Sequence, residues 1–322
     1  MRCGSACSRR SACPGPPEPA AMTAAPLLSV YLPTRNRAGL VPRAIESVLR
    51  QDHADLELLV VDDASTDDTP AVLARIAAAD GRVRVFRQPR QSGAPAARNV
   101  ALREATGRYV TGLDDDDEFL PGRVTALLRA FDERYSFVCS GAWLDSGTWV
   151  RPSRTSEAVI TLDDELYGDQ AGTQVLTLTS RIREAGLFDE SMPAWQDYDL
   201  WTRLIERYGP ALRIPEPTYL QHVEAGTERI TARGAEGARR YIAKHRDRMR
   251  PDQLASQELE LFMIEQRRMG LADASRLATP RTWRRAARYL VTSNLPWLRS
   301  LAERYRRRKW SAQPRPTGLP PR

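Results

Sequence analysis

Strand-like and helix-like segments alternate along the first part of this chain, and this rhythm constrains the fold more than any other feature. Apolar, β-prone runs occupy residues 27–32, 56–61, 83–86 and 109–113, and segments with helical spacing of apolar residues separate them. Strands that alternate with helices predict a parallel, doubly wound sheet. Ligands bind such sheets at the carboxyl ends of the strands, near the point where the strand order reverses.

Polar residues follow three of these strands at the edge where a ligand is expected. They are residues 33–37, residues 62–67 and residues 114–118, and the last of these segments is a run of five carboxylates. Adjacent carboxylates repel one another unless a cation neutralises them. Mg²⁺ and Mn²⁺ take oxygen ligands from one or two carboxylates and leave other positions to water or phosphates. The acidic run therefore indicates a metal site or a solvated loop that caps the helix beginning near Leu120.

The composition argues against two classes of protein. The net charge is +7, but residues 281–310 contribute +9, which leaves about −2 for the rest of the chain. Basicity confined to one segment is not typical of a compact nucleic-acid binder. No apolar run approaches the roughly 20 residues of a membrane-spanning helix. Three of the four cysteines lie within residues 1–13 without His partners, so we predict no disulfide framework and a reducing cytoplasm.

The second half of the chain predicts a different pattern of strands and a second functional segment. Strand-like residues at 136–140, 147–151 and 172–179 predict a mixed or antiparallel region. Asp197 and Asp199 lie in the first turn of a predicted helix, where the helix dipole favours an ionised carboxylate. An ionised Asp at this position can act as a general base, and it can equally cap the helix.

Four regions are expected along the chain. Residues 1–25 are predicted to be a disordered leader, with Met22 as an alternative start, and residues 26–228 to be the α/β domain. Residues 229–310 are predicted to be a helical, basic extension, and residues 311–322 a disordered tail. In the extension, a helix near residues 296–305 has Trp and Leu on one face and Arg on the other. This pattern is typical of a helix in a membrane interface, and also of a solvated surface helix.

Five motifs in order resemble those of family 2 of the inverting glycosyltransferases, which have the fold called GT-A. The motifs are residues 32–37, 60–67, 92–99, 113–119 and 188–201. The resemblance covers residues 27–222 and implies an α/β, Rossmann-like, doubly wound mixed sheet. A nucleotide-binding half would precede an acceptor-binding half, followed by the helical extension. The resemblance also implies a bacterial surface-polysaccharide glycosyltransferase.

The resemblance assigns functions to individual residues. The implied nucleotide-binding residues are Pro33, Thr34, Arg35, Asn36, Asp63, Arg98, Asp114 and Asp115. The implied ligands of a Mg²⁺ or Mn²⁺ ion are Asp116, Asp114 and His222, and the implied catalytic base is Asp197. Gln196 departs from the family pattern, which often has Glu at this position.

The implied reaction is the metal-dependent, inverting transfer of a sugar from a nucleoside diphosphate sugar, UDP above all, to an acceptor hydroxyl. The expected acceptor is a lipid-linked or polysaccharide glycan, and no nucleic-acid partner is expected. We expect a cytoplasmic protein in peripheral contact with the inner face of the plasma membrane through the basic C-terminal helix.

Two alternatives to this enzyme remain. A nucleotidyltransferase also uses a nucleotide, Mg²⁺ and aspartates, but residues 33–37 contain no glycine, and no G-x-G-x-x-G follows the first strand. A catalytically inactive relative could act as a binding module through its basic tail. Every carboxylate that the mechanism needs is present, which argues against that alternative.

Overall fold

A computed structural model gives the arrangement of residues 27–172, 174–223 and 230–298, together with the isolated residues 301, 304, 310 and 319. Only the backbone is described at residues 230–232. The predicted leader at residues 1–25, the alternative start Met22, half of the predicted interfacial helix at residues 296–305 and nearly all of the predicted tail at residues 311–322 lie outside the described residues.

The described residues form strands and helices in alternation, followed by a helical segment. The strands are β1 Leu28–Thr34, β2 Leu56–Asp62, β3 Val83–Arg87, β4 Tyr109–Gly112, β5 Glu118–Phe119, β6 Val138–Asp145, β7 Val150–Ser153, β8 Ala158–Ile160, β9 Thr177–Leu178 and β10 Ala211–His222. The helices are α1 Val41–Leu49, α2 Thr69–Ala79, α3 Ala94–Glu104, α4 Arg123–Ala130, α5 Leu162–Tyr167, α6 Thr179–Glu184, α7 Gln196–Tyr208, α8 Ile230–His245, α9 Pro251–Ile264, α10 Leu271–Leu277 and α11 Trp283–Asn294, with a 3₁₀ turn at Arg246–Arg248.

The strands divide between two sheets. The first has the order β3-β2-β1-β4-β9, with β1 to β4 parallel and β9 antiparallel to β4. The second has the order β5-β10-β6-β7, with β8 also paired to β10. In it β10 is parallel to β6 and antiparallel to β5 and β8. The predicted parallel sheet and the predicted mixed region are both confirmed, as two sheets rather than one.

The first sheet is covered by helices on both faces. All seven residues of β1 are buried, as expected for a central parallel strand. Leu28, Val30 and Leu32 pack in one hydrophobic cluster with α1, whereas Tyr31 packs in a second cluster with α3 and α7. This separation follows because successive side chains of a strand point to opposite faces of the sheet.

The longest strand, β10, is not predicted by the sequence patterns above. It contains Pro215 and Pro217, and a proline within an apolar run argues against a central strand because it cannot donate a ladder hydrogen bond. The register of β10 against β6 shifts between Ile214 and Tyr219, and this irregularity accommodates the prolines. The strand predicted at residues 172–179 is much shorter in the structure, since β9 is only Thr177–Leu178.

The C-terminal helices form a small core of their own and dock on the α/β part. Helices α9, α10 and α11 share a hydrophobic cluster that includes Phe262, Leu277 and Tyr289. Two side chains of α9 hydrogen-bond to the backbone of α5: Ser256 Oγ donates to the Tyr167 carbonyl at 2.7 Å and Gln257 Nε2 to the Leu166 carbonyl at 2.9 Å. Among the described residues, no helix has the length and apolar character needed to cross a bilayer.

Candidate active site

Three loops meet at one edge of the first sheet. Because β1 pairs in parallel with both β2 and β4, the carboxyl ends of these strands lie side by side. A pocket of about 420 Å³ opens at this edge. The predicted site residues that line it are Pro33, Thr34, Arg35, Asp63, Arg98, Asp114, Asp115 and Asp116. Asn36, Asp197 and His222 are not among its lining residues.

The carboxylate of Asp63, directly after β2, holds the loop that precedes α3. Its Oδ1 accepts hydrogen bonds from Ser92 N at 2.7 Å and from Gln88 Nε2 at 3.0 Å, and its Oδ2 accepts one from Gly93 N at 2.8 Å. Gly93 has a φ of 93°, a conformation that favours glycine. Asp63 therefore shapes the pocket wall, and its contact with a nucleotide base stays a prediction.

Asn36 joins the loop after β1 to the loop after β2. Its backbone N–H donates to Ser65 Oγ at 2.9 Å, and its Oδ1 accepts a hydrogen bond from Thr66 N at 2.8 Å. Its φ of 53° is left-handed, a conformation that Asn tolerates better than most residues. The structure thus places Asn36 as a loop support beside the pocket.

The acidic run splits into two groups with different surroundings. Asp114, Asp115 and Asp116 line the pocket, with side chains 30%, 14% and 43% exposed. Asp115 Oδ2 accepts a hydrogen bond from Thr34 Oγ1 at 2.7 Å, but burial outweighs this bond and raises the pKa of Asp115 to about 6. Asp117 and Glu118 are buried instead, and burial raises the pKa of Asp117 well above its ordinary value.

The buried pair of this run anchors the end of β10. Asp117 Oδ1 accepts a hydrogen bond from the backbone N–H of His222 at 2.9 Å. The ring nitrogen Nε2 of His222 lies 2.8 Å from Glu118 Oε1, and Arg43 Nε lies 3.2 Å from the same oxygen. His222 is therefore beside the acidic run, with its ring held by Glu118, and its role as a metal ligand stays a prediction.

A buried arginine, Arg98 of α3, connects the acidic run to the second predicted segment. Its Nη2 donates to Asp114 Oδ1 at 2.6 Å and its Nη1 to Asp197 Oδ1 at 3.4 Å. Its guanidinium also lies over the ring of Phe188, 5.3 Å from the centroid. Burial alone would lower the pKa of Arg98, but Asp114 and Asp197 outweigh it and raise the pKa. Two carboxylates far apart in sequence therefore share one cation.

Asp197 and Asp199 both lie in the first turn of α7, yet they have different environments. Asp197 is 29% exposed, and burial raises its pKa although Arg98 opposes this effect. Asp199 is fully buried, and three side chains contact it: Arg203 at 2.9 Å, Lys244 at 3.0 Å and the ring nitrogen Nε2 of His245 at 2.9 Å. These partners hold the pKa of Asp199 below its ordinary value despite burial. Asp199 therefore fastens α7 to α8, whereas Asp197 remains accessible.

Asp197 also lies on the wall of a second pocket, of about 580 Å³. This pocket is lined by residues around α5, by the start of α7, and by α9 and α11. Asp197 is thus between two cavities, since Arg98, its partner, lines the first pocket.

The donor set of the first pocket fits a hard divalent ion held by few protein ligands. Arg37 lies 3.8 Å from both Asp115 Oδ1 and Asp116 Oδ2, so these carboxylates already attract a cationic side chain. Within the described part of the chain, no three His, Cys, Asp or Glu side chains are grouped as ligands of one ion. Mg²⁺ is usually bound by one or two carboxylates together with substrate phosphates, and the present arrangement matches that mode.

Several residues of the site are not predicted from the sequence. Gln174 Nε2 lies 3.3 Å from Asp114 Oδ2, and the Tyr31 hydroxyl donates to Gln174 Oε1 at 2.7 Å. The Asp114 N–H donates to the Tyr219 hydroxyl at 3.4 Å. The one sequence feature connected with these contacts is Gly112, since a Cβ at this position would overlap the Tyr31 ring and Gln174.

Comparisons with known proteins give a consistent result. A sequence model described as glycosyl transferase family 2 matches residues 29–188. The chain is 32% identical over 274 residues to an Escherichia coli K12 protein named as the colanic acid biosynthesis glycosyl transferase WcaA. That alignment covers 81% of this chain and 96% of the relative.

Solved structures show the same fold. S. aureus TarS 1–349 in complex with UDP-GlcNAc superposes with a TM-score of 0.57 at 19% identity, over 83% of this chain and 81% of that one. A Pyrobaculum calidifontis mannosyltransferase, PcManGT, in complex with GDP-Man and Mn²⁺, superposes with a TM-score of 0.57 at 21% identity, over 89% and 83% of the two chains. The predicted GT-A fold is confirmed.

Proposed function

Since this chain belongs to glycosyl transferase family 2, we propose that its transfer of sugar from a nucleoside diphosphate sugar is an inverting, divalent-ion-dependent reaction on an acceptor hydroxyl. The observation that supports this reaction best is the sharing of Arg98 by Asp114 and Asp197. This shared arginine places the carboxylates of Asp114 to Asp116, which suit an ion and a diphosphate, near the accessible carboxylate of Asp197. The catalytic chemistry requires these two elements on either side of the sugar.

On the donor side, the first pocket would receive the nucleotide, with UDP as the expected one. Thr34 at the end of β1 and Arg35 in the following loop line it, and Gly93 lines it from the loop held by Asp63. Asp116, with Asp114, would hold Mg²⁺ or Mn²⁺, and such an ion offsets the negative charge that develops on the leaving diphosphate. The proposal agrees with the TarS and PcManGT structures, whose ligands are UDP-GlcNAc and GDP-Man with Mn²⁺.

On the acceptor side, Asp197 would act as the general base. It accepts the proton of the acceptor hydroxyl while the hydroxyl oxygen forms a bond to the anomeric carbon of the donor sugar. The bond from that carbon to the diphosphate oxygen breaks, and the electron pair leaves with the diphosphate. A single displacement inverts the anomeric configuration, and no covalent enzyme intermediate forms. The raised pKa of Asp197 improves it as a base at neutral pH.

The experiment that tests this function follows product release from a panel of UDP- and GDP-sugars with Mg²⁺ or Mn²⁺. Release of the nucleoside diphosphate, lost after chelation and restored by the ion, would support the proposal, and NMR of the product would report inversion. Release of pyrophosphate from a nucleoside triphosphate would support a nucleotidyltransferase instead. Release of neither product would indicate an inactive binding module.

We further propose that the acceptor is a lipid-linked glycan for a surface polysaccharide, at the cytoplasmic face of the plasma membrane. The E. coli relative is named for colanic acid biosynthesis. On α11, Trp283, Ala287 and Val291 form an exposed stripe at helical spacing beside Arg284 and Arg288. Exposed Trp and aliphatic side chains next to Arg suit an interface with anionic lipids.

Point substitutions test this surface better than a deletion, because α11 also places Tyr289 in the core. The variant Trp283→Ser with Arg284→Gln and Arg288→Gln should float less with phosphatidylglycerol vesicles than the parent protein. Arg108→Gln, an exposed change in the α/β part, is the control. Equal flotation of all three proteins would contradict the membrane proposal.

A further inference from the structure

The second pocket lies beside the proposed base and is lined by aromatic and polar side chains. Its volume of about 580 Å³ lies within the range of small-molecule sites. Asp197 is on its wall, so a group bound there can present a hydroxyl to the proposed base. The aromatic side chains Trp195 and Tyr167 line the same cavity together with polar residues. Aromatic faces combined with a few polar groups are typical of sites that orient a ligand with both apolar and polar parts.

Trp195 is held in an unusual conformation at the entrance to α7. Its φ of 64° is left-handed, which is rare for a bulky residue. Its ring packs on Tyr198 at a centroid distance of 5.5 Å and on Tyr241 at 5.7 Å, yet the residue is only half-buried. Strained residues cluster at binding sites, where the surrounding structure holds them. The packing against α8 therefore fixes an aromatic ring two residues from Asp197.

The charges of the pocket favour a neutral ligand. Arg154 is paired with Asp169 at 3.2 Å, and Arg285 of α11 is paired with Glu260 of α9. Each arginine is therefore neutralised, and with Asp197 the lining residues comprise two cations and three carboxylates. A phosphate or uronate would find no unpaired cation among the described lining residues. Hydroxyl groups, by contrast, can donate to the carboxylates and accept from the guanidinium groups.

We propose that this pocket binds the terminal sugar of the acceptor, a neutral pyranose whose apolar face stacks on Trp195 while one hydroxyl reaches Asp197. The proposal rests on the proposed function, because it assigns the sugar that Asp197 deprotonates. Trp195, Glu260 and Arg285 lie beyond residues 29–188, the part that matches the family model. Acceptor specificity would thus depend on the start of α7 and on the C-terminal helices.

The test uses the full chain, with methyl β-D-glucoside and methyl β-D-galactoside as neutral probes and methyl β-D-glucuronide as the anionic probe. Ligand-observed NMR measures binding to the parent protein and to Trp195→Phe, Trp195→Asn and Trp149→Asn. Asn suits the left-handed conformation, so Trp195→Asn removes the ring without adding backbone strain. Trp149 is also half-buried but does not line the pocket, and it makes a matched control.

We expect a neutral glycoside to contact the protein through its ring hydrogens. Trp195→Asn should weaken binding about tenfold, while Trp195→Phe and Trp149→Asn retain it. Equal binding by Trp195→Asn, or a preference for the glucuronide, would overturn the proposal. In case Trp195→Asn does not fold, the indole N–H signal of Trp195, assigned with Trp195→Phe, gives a second readout. This signal should shift when glycoside is added to the parent protein, and an unmoved signal would also overturn the proposal.

The experiment separates this inference from the proposed function. Glycoside binding requires neither a donor nor transfer, so it is measured independently of nucleoside diphosphate release. A protein that releases the diphosphate but binds no neutral glycoside would refute the acceptor assignment alone. In a transfer assay, Trp195→Asn should raise the KM for a saccharide acceptor about tenfold and leave the KM for the donor unchanged.

Discussion

Replacing Arg98 by Met tests the central feature of the site, the guanidinium shared by Asp114 and Asp197. Met has a comparable apolar stem but no charge, so the change removes both ion pairs with little loss of packing. Asp114 lies 2.6 Å and Asp197 3.4 Å from Arg98. After the substitution, the two carboxylates would lack their common cation.

The expected magnitude follows from these distances. At an effective dielectric constant of about 20, charges 2.6 Å and 3.4 Å apart attract by about 6 and 5 kcal/mol, respectively. The desolvation of a buried guanidinium offsets several kcal/mol of this gain. Removing one partner of a buried pair usually costs about 3–5 kcal/mol, and both carboxylates are partly exposed, so water can replace part of the lost interaction. We expect the free energy of unfolding to fall by about 3 kcal/mol.

Urea unfolding and thermal melts measure this change. A loss of about 3 kcal/mol corresponds to a decrease in Tm of about 4–5 °C in a chain of 322 residues, because the entropy of unfolding is about 2.1 cal/mol/K per residue. Arg108→Met, which removes an exposed pair with Glu133, should cost less than about 1 kcal/mol. Arg98 also lowers the pKa of Asp197, so Arg98→Met should move the acid limb of the kcat profile to higher pH. If Arg98→Met has the same Tm as Arg108→Met and an unchanged pH profile of kcat, the shared guanidinium contributes neither to stability nor to the pKa of Asp197.

Three further predictions concern single residues. Asp197→Asn should lower kcat about 10²–10⁴-fold and lower Tm by less than Arg98→Met, because Arg98 keeps Asp114 as a partner. Asp199→Asn, at a carboxylate buried against Arg203, Lys244 and His245, should lower Tm by at least as much as Arg98→Met. Similar Tm values for the two Asn variants would contradict the two roles. Burial raises the pKa of Asp197 above its ordinary value of 3.8, and a general base must be ionised, so kcat should fall as the pH falls through this raised pKa. If kcat stays constant down to pH 3.8 while circular dichroism shows a folded protein, Asp197 is not the base. Gly112→Ala should lower the free energy of unfolding by about 1–3 kcal/mol and weaken donor binding, because the added Cβ overlaps the Tyr31 ring. Gly39→Ala, with open space around the added Cβ, is the control. Equal Tm values for these two variants would show that Gly112 is not needed for close packing.

The four parallel strands of the first sheet could be predicted because each of them is a local pattern. Residues 27–32 and 56–61 are apolar runs of the length of a buried strand, and the intervening helix α1 shows apolar residues at helical spacing. The second sheet depends on contacts that are not local. Strand β10 contains two prolines, and it is stabilised by pairing with β6, whose partner residues lie more than 70 positions earlier. Such pairing overrides the local preference against a strand.

The candidate site was predicted in part. The resemblance pointed to residues 33–36, Asp63 and Asp114 to Asp116, and nearly all of them line one pocket. It could not show that Asp63 holds the Gly93 loop or that the ring of His222 contacts Glu118. Both contacts depend on which side chains lie close together once the chain has folded.

The amino-acid sequence alone determined that this chain has an alternating α/β core whose strands end in polar and acidic loops. Those properties are local, because apolar periodicity and turn chemistry act over a few residues. Only the tertiary structure decided which carboxylates remain accessible. Asp114 and Asp197 share Arg98, whereas Asp199 is enclosed by Arg203 of α7 and by Lys244 and His245 of α8. Burial and charge pairing set the ionisation of a carboxylate, and both depend on neighbours that only the folded chain brings together.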